Sequence, residues 1–152
     1  MKVVVQRSKN ANVVINEKIN GQIKHGLTLL IGFTEGDDNK IIDWMVDKVI
    51  NLRIFDDENG VMNKSLLDVN GSILSISQFT LYADANKGRR PSYIKALNGE
   101  LSTVLYDKFN QKLKEKNIDV QTGIFGADME VTLTNDGPVT ILLEKENNYE
   151  GK

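Results

Sequence analysis

Two short segments bring hydroxyl, amide and unusual backbone groups together at the edges of apolar runs: Ser77-Gln78-Phe79-Thr80-Leu81 and Asn135-Asp136-Gly137-Pro138-Val139-Thr140. The first sets hydroxyl and amide side chains at the edge of an apolar run. Alternation places Ser77 and Phe79 on one strand face and Gln78 and Thr80 on the other. At a strand end, backbone N–H groups that leave the ladder can stabilise the oxyanion formed when an ester carbonyl is attacked. Thr80 is a possible nucleophile, but a threonine hydroxyl is weak without a base, and none lies nearby in sequence. In the second segment Gly137 permits close backbone approach, while Pro138 fixes its own φ and tolerates a preceding cis bond. Such a corner can aim carbonyl oxygens at an amino group and exclude one arrangement about a chiral carbon. Each segment also has a plainer reading, as a hydrogen-bonded strand and as a tight turn between Thr134 and Val139. From the residues alone, the plainer readings prevail.

The rest of the inventory narrows the chemistry. The chain has no cysteine and one histidine, His25. That removes thiol nucleophiles, zinc–sulfur sites and any mechanism needing two imidazoles. Asp56-Asp57-Glu58 lacks the ligand periodicity of a calcium loop and reads as a charged turn. Gly123-Ile124-Phe125-Gly126 lacks both the strand–GxGxxG–helix setting of a dinucleotide site and the lysine of a P-loop. No metal and no cofactor is therefore expected. Arg7 is placed to pin a carboxylate or a backbone oxygen, and a structural ion pair is its blander role. Met129 and Phe79 either line a cleft or join the core. His25, Tyr82, Asp84 and Tyr93 gain no catalytic assignment.

With a net charge of −2, the 152-residue chain cannot coat duplex DNA through phosphate contacts. One compact basic cluster remains, Lys87, Arg89 and Arg90 with Lys95 beyond it. It suits either a local phosphate contact at an RNA end or a solvated loop. The apolar run in Met1–Arg7 is too short for a signal peptide or membrane span. Lack of cysteine fits a cytoplasmic location.

These residues need a scaffold, and the hydrophobic pattern supplies one domain. Strand character falls at Val3–Arg7 and Asn12–Ile15, with a turn at Asn20-Gly21. Leu27–Phe33 reads as a central strand covered on both faces. Ile41, Ile42, Met45, Val46, Val49 and Ile50 recur at helical spacing after cap chemistry at Gly36–Asn39, with Trp44 at the margin. Arg53-Ile54-Phe55 is a short strand, and Gly71–Leu81 a longer one. A second helix covers Gly99–Lys116 on a stripe of Leu101, Val104, Leu105, Phe109 and Leu113. Strands return at Val120–Thr122, Met129–Thr134 and Val139–Leu143. The expected fold is α/β: curved, mostly antiparallel sheet in a barrel-like arrangement, with two main helices. One domain spans 1–145, and 146–152 is a polar tail.

Taken in order, the blocks Asn51–Phe55, Met62–Leu66, Ser77–Leu81, Lys87–Ser92, Thr122–Ala127 and Asn135–Thr140 resemble the D-aminoacyl-tRNA deacylase family, formerly D-tyrosyl-tRNA deacylase. The likeness runs from Met1 to at least Glu144. It departs mildly at Asn98-Gly99-Glu100, where many relatives carry a proline-containing turn. The resemblance implies a cytoplasmic homodimer that hydrolyses the ester joining a D-amino acid, or glycine, to the tRNA 3′ end. It implies a cis Gly137-Pro138 element reaching the partner's active site, binding the amino group and rejecting L substrates, with Arg7 and Asn135 supporting it. It assigns Ser77, Gln78 and Met129 to the pocket, and the Phe79 and Thr80 amides to the oxyanion and terminal adenosine. Attack by water, assisted by the terminal 2′-hydroxyl, is favoured over a threonyl intermediate. Two alternatives stay open: a noncatalytic dimeric module that binds RNA ends, and a small-molecule esterase using Thr80.

Overall fold

The structure, a computed structural model, describes residues 1–147. The alternation begun by Val3 and Val5 continues through Ala11 and Val13, so one strand, β1 (Lys2–Ile15), replaces the two short ones expected. Its partner β2 (Lys18–Gly32) returns antiparallel, with Ile15 opposite Lys18. The turn is therefore Asn16-Glu17, and Asn20-Gly21 lies inside β2. Both turn residues take positive φ, 48° and 64°, the sense that lets a two-residue hairpin follow strand twist.

Beyond the hairpin, β5 (Ser72–Ser77), β6 (Val120–Thr122) and β7 (Glu130–Glu144) complete a five-stranded sheet of order β6-β5-β2-β1-β7. The central position of β2 explains why Leu27, Thr28, Leu29 and Ile31 are all buried. The long β1–β2 and β1–β7 pairings are antiparallel, but β2–β5 and β5–β6 are parallel. Parallel neighbours need long crossovers, and here those run through the helices. Alternation within a strand carries no record of direction, so the sheet is more mixed than its pattern suggested.

Helix α1 (Asn39–Asn51) starts where the Asp38 carboxylate accepts from the Ile41 amide at 3.1 Å. It buries all six periodic residues expected of it. A two-stranded hairpin follows, β3 (Phe55–Asp56) with β4 (Met62–Lys64), closed by a turn in which Asp57 accepts from the Asn59 and Val61 amides. A single capped turn, α2 (Leu66–Val69), was not foreseen. Helix α3 (Gly99–Glu115) has the expected length but a rotated inner face. Leu101 and Val104 stay half-exposed, while Ser102, Tyr106 and Asn110 are buried. Tyr106 Oη donates to the Ser75 carbonyl at 2.7 Å and Ser75 Oγ to Asn110 Oδ1 at 2.6 Å. Hydrogen-bonded polar groups can thus take core positions that a hydrophobic stripe overlooks.

Two cores share the β1–β2 hairpin. Val3, Val5, Leu27, Leu29 and Ile31 pack with both long helices. Ala11, Val13 and Ile23 pack with Leu74 and Ile76, and Met129, Val131 and Leu133 sit at the margin. At the bend between them Gly26 has φ 150°, and a Cβ there would collide with the Ser72 carbonyl. The tail begins tethered, since Tyr82 Oη donates to Glu146 and Asn147 donates to the Gly36 carbonyl. Residues 148–152 of the expected tail lie outside the described residues. Among the described residues no helix is long and apolar enough to cross a membrane.

Candidate active site

Strand β5 ends at Ser77, short of the Leu81 limit expected, because the Gln78 amide makes the last contact with β2, donating to the Ile31 carbonyl at 2.7 Å. The chain then coils into a 3-10 turn, Phe79–Tyr82. Alternation therefore says nothing about faces beyond Ser77. Inside the turn Leu81 N donates to the Gln78 carbonyl at 3.2 Å, and Ala83 N to the Thr80 carbonyl at 3.0 Å. The Phe79 and Thr80 amides precede the first such bond and have no backbone acceptor among the described residues. Two adjacent donors are left at one turn, the requirement for holding a developing oxyanion. Gln78 Nε2 donates to Thr80 Oγ1 at 2.5 Å. An amide donor there orients the hydroxyl and does not raise its nucleophilicity.

The turn is held from below and from the side. Tyr82 is buried, and burial together with the nearby Asp37 and Glu146 carboxylates pushes its phenol pKa upward. Lys2 Nζ lies 4.7 Å from the Tyr82 ring centre and 3.4 Å from the Leu81 carbonyl. The Phe79 ring, 52% exposed, meets Tyr93 edge-on at 5.3 Å.

The second segment is not the tight turn between two strands that its residues suggested. Strand β7 runs through it, and the ladder to β1 is intact on both sides: Gln6 opposes Thr140 and Ser8 opposes Asn135. Arg7 alone faces the four residues Asp136–Val139, so these bulge away from the sheet. Asn135 closes the neck, accepting from the Val139 amide at 2.7 Å and donating to Thr140 Oγ1 at 2.9 Å. The Gly137-Pro138 bond is cis, and Gly137 has φ 136°. A Cβ on Gly137 would lie 2.8 Å from Val139 Cγ2, 3.0 Å from Val139 N and 3.2 Å from Arg7 Nη2.

Arg7 is 7% exposed and grips this bulge by its main chain. Its Nε donates to the Asp136 carbonyl at 2.9 Å and its Nη1 to the Ile54 carbonyl at 2.8 Å. The Asp56 and Asp136 carboxylates lie 3.4 and 3.6 Å from the guanidinium. The planar fork thus ties β1, the bulge and the segment entering β3 together. Sequence reasoning missed Ile54 and Asp56, and a backbone acceptor leaves no signal in residue identity.

Within one chain the two segments stay apart. The 3-10 turn packs at Lys2, near one end of β1, whereas the bulge lies opposite Arg7 further along that strand, roughly 17 Å away at the usual rise per residue. Two clefts among the described residues, 560 Å³ beside His25 and 490 Å³ between α3 and Gly123–Phe125, are lined by neither segment. Met129, partly buried, rests its sulfur over Gly123 at the margin of the second core. The basic residues Lys87, Arg89 and Arg90 sit exposed on a loop that leaves the 3-10 turn directly. Paired bonds between Asp84 and Ser92, at 2.7 and 2.8 Å, close its base. Lys95 stands apart, 3.8 Å from the Asp84 carboxylate. That carboxylate is held below the usual aspartate range, first by the Asn86 amide. Among the described residues no group of His, Asp and Glu is arranged to hold a metal ion.

Comparison with known proteins matches residues 4–144 to the family model described as D-Tyr-tRNA(Tyr) deacylase. A D-aminoacyl-tRNA deacylase of Clostridium tetani is 55% identical, over 96% of this chain and 98% of that protein. One from Brevibacillus brevis is 54% identical, over 95% and 99%. Among solved structures, a c-Myc DNA Unwinding Element Binding Protein superposes with TM-score 0.90 at 38% identity, covering 95% of this chain and 99% of that one. A probable eukaryotic D-amino acid tRNA deacylase shares the fold, with TM-score 0.80 at 18% identity, over 93% and 97%.

Proposed function

This chain belongs to the D-Tyr-tRNA(Tyr) deacylase family and is an enzyme that hydrolyses D-aminoacyl-tRNA, and from that premise we propose how its two segments divide the work. The aminoacyl ester of the tRNA 3′ end lies against the 3-10 turn. Phe79 and Thr80 amides receive the negative charge that builds on the carbonyl oxygen as the ester is attacked. The observation that carries this reading is that pair of adjacent amides without backbone acceptors. Water is the nucleophile, and the terminal 2′-hydroxyl of the tRNA assists it. Among the described residues no imidazole or carboxylate hydrogen-bonds to Thr80, and its hydroxyl is engaged by Gln78. Ser77 and Gln78 shape the pocket floor, and Met129 lines its margin.

Stereochemistry comes from the Gly137-Pro138 bulge of a second copy of the chain. The separation of the two segments along β1 supports this, because it leaves the 3-10 turn without a bulge from its own chain. Its carbonyls take the substrate amino group, and its backbone leaves no room for an L side chain. Glycine has no side chain to reject, so glycyl-tRNA is also a substrate. Lys87, Arg89 and Arg90 face the tRNA phosphates, and the enzyme works in the cytoplasm.

Single-turnover release from D-Tyr-tRNA and L-Tyr-tRNA tests the assignment. Fast release of the D form alone is expected; equal release, or release of the L form alone, overturns it. Binding of charged tRNA without any release points instead to an RNA-end-binding module. A D-Tyr-tRNA ending in 2′-deoxyadenosine tests the assisted attack. An unchanged chemical rate on that substrate removes the 2′-hydroxyl from the mechanism.

A further inference from the structure

Resting on that reading, we propose that Tyr93 and the Lys87–Arg90 loop form a binding surface for the unpaired nucleotides just before the terminal adenosine. Tyr93 is the stacking platform in this surface, and the loop is its phosphate clamp. Four observations carry it. Tyr93 follows Ser92, whose paired bonds with Asp84 fix the loop base, so ring and loop are held as one unit. The ring lies 5.3 Å from Phe79, whose amide belongs to the candidate oxyanion site. Tyr93 is 44% exposed, and Ile94 beside it 88%, so the ring stands open to a ligand just beyond the loop base.

The fourth observation is charge. Lys87, Arg89 and Arg90 form no ion pair among the described residues, while Asp84, the loop's own acid, is engaged by Asn86 and Lys95. Three uncompensated cations next to an exposed aromatic pair, on a chain of net charge −2, concentrate positive potential at one place. Cations that track a backbone, beside rings that accept any base, are the recipe for sequence-tolerant single-strand binding. A surface of this kind holds the 3′ end of every tRNA alike. It lets the bulge alone decide which ester is cleaved.

The test compares D-Tyr-tRNA with D-tyrosyl-adenosine, which carries the ester but no upstream nucleotide. Tyr93→Ala and Tyr93→Leu are expected to raise KM for the tRNA about tenfold with kcat unchanged. Neither should alter turnover of D-tyrosyl-adenosine, and Tyr93→Phe should match the wild type on both. Equal loss on both substrates from Tyr93→Ala, or full rescue by Tyr93→Leu, overturns the platform. A combined K87A/R89A/R90A variant is expected to lower the dependence of log KM on log salt by about two units. An unchanged slope overturns the clamp. Binding of a CCA trinucleotide reads the surface without turnover. If the wild type cleaves neither ester, the hydrolase reading fails, yet trinucleotide binding lost in Tyr93→Ala still supports the surface. No trinucleotide binding by the wild type overturns it.

Discussion

Replacing Gly137 by alanine sets stability against catalysis in a measurable way. Its φ of 136° is a conformation that side-chain-bearing residues adopt at a cost of about 1–3 kcal/mol. The new Cβ also meets Val139 at 2.8 Å on Cγ2 and 3.0 Å on the backbone nitrogen. The methyl contact can be relieved by rotating Val139. The nitrogen cannot rotate away, and it donates the 2.7 Å bond to Asn135 that closes the bulge. Losing that bond adds about 0.5–1.5 kcal/mol, for a total near 2–4 kcal/mol if the bulge keeps its shape. For a domain of this size, that lowers Tm by roughly 5–15 °C. If the bulge instead relaxes, much of the thermal cost disappears but the element proposed to select the substrate's configuration moves. A displacement of about 1 Å in a positioned group can cost a hundredfold in rate. Calorimetry and single-turnover release of D-Tyr from its tRNA, made on the same preparation, read both ends of this exchange. At least one must fall. An alanine variant matching the wild type in both would refute the account of the bulge as a glycine-dependent shape.

Three further expectations concern the supports. Arg7→Lys keeps a positive charge but cannot reach the Ile54 and Asp136 carbonyls together. It should lose about 1–3 kcal/mol in urea unfolding and most D-specific release, and a wild-type profile in both would dismiss the fork as a positioning device. Tyr106→Phe removes the hydroxyl donor from the buried Ser75 carbonyl and leaves it the Gly123 amide at 3.3 Å, at a cost of about 0.5–1.5 kcal/mol; an unchanged unfolding midpoint would refute it. Asp57 sits below the ordinary aspartate range because the Val61 and Asn59 amides favour its charged form. Its folded pKa is thus below the unfolded one, so its stabilisation of the β3–β4 turn is present above the unfolded value and fades as pH falls through the folded one. A carboxyl NMR titration should place its midpoint below that of an unstructured aspartate. A midpoint at or above that value would remove the turn as the cause.

The parts legible in the sequence were those where side-chain identity records burial. Ile41, Ile42, Met45, Val46, Val49 and Ile50 defined the inner face of α1, and Val120–Thr122 matched β6. The run Leu27–Ile31 announced a central strand because both of its faces are covered. What stayed hidden depends on the main chain or on partners far away in sequence. Asn16-Glu17 outcompeted Asn20-Gly21 because register, set by Ala11, Val13 and Ile23 in the second core, decides where a hairpin turns. The inner face of α3 was misjudged because Tyr106 and Asn110 owe their burial to Ser75 on another element. At the candidate site, the identities of Ser77–Thr80 marked the segment, but its break from strand to 3-10 turn follows from a backbone bond to Ile31. Arg7 was legible as an anchor, while its Ile54 anchorage was not. Tyr93 could not be linked to Phe79 without the loop closure that brings them together.

The ladder between β1 and β7 has one more implication. Pairing is intact from Lys2 with Glu144 to Gln6 with Thr140, and it resumes at Ser8 with Asn135. Each flank is locked to a different core, Ile141 and Leu143 to one, Val131 and Leu133 to the other. Residues added to or removed from 136–139 would therefore change the protrusion without sliding either flank. Evolution, or an engineer, can vary the length and chemistry of that protrusion while leaving the folding problem already solved.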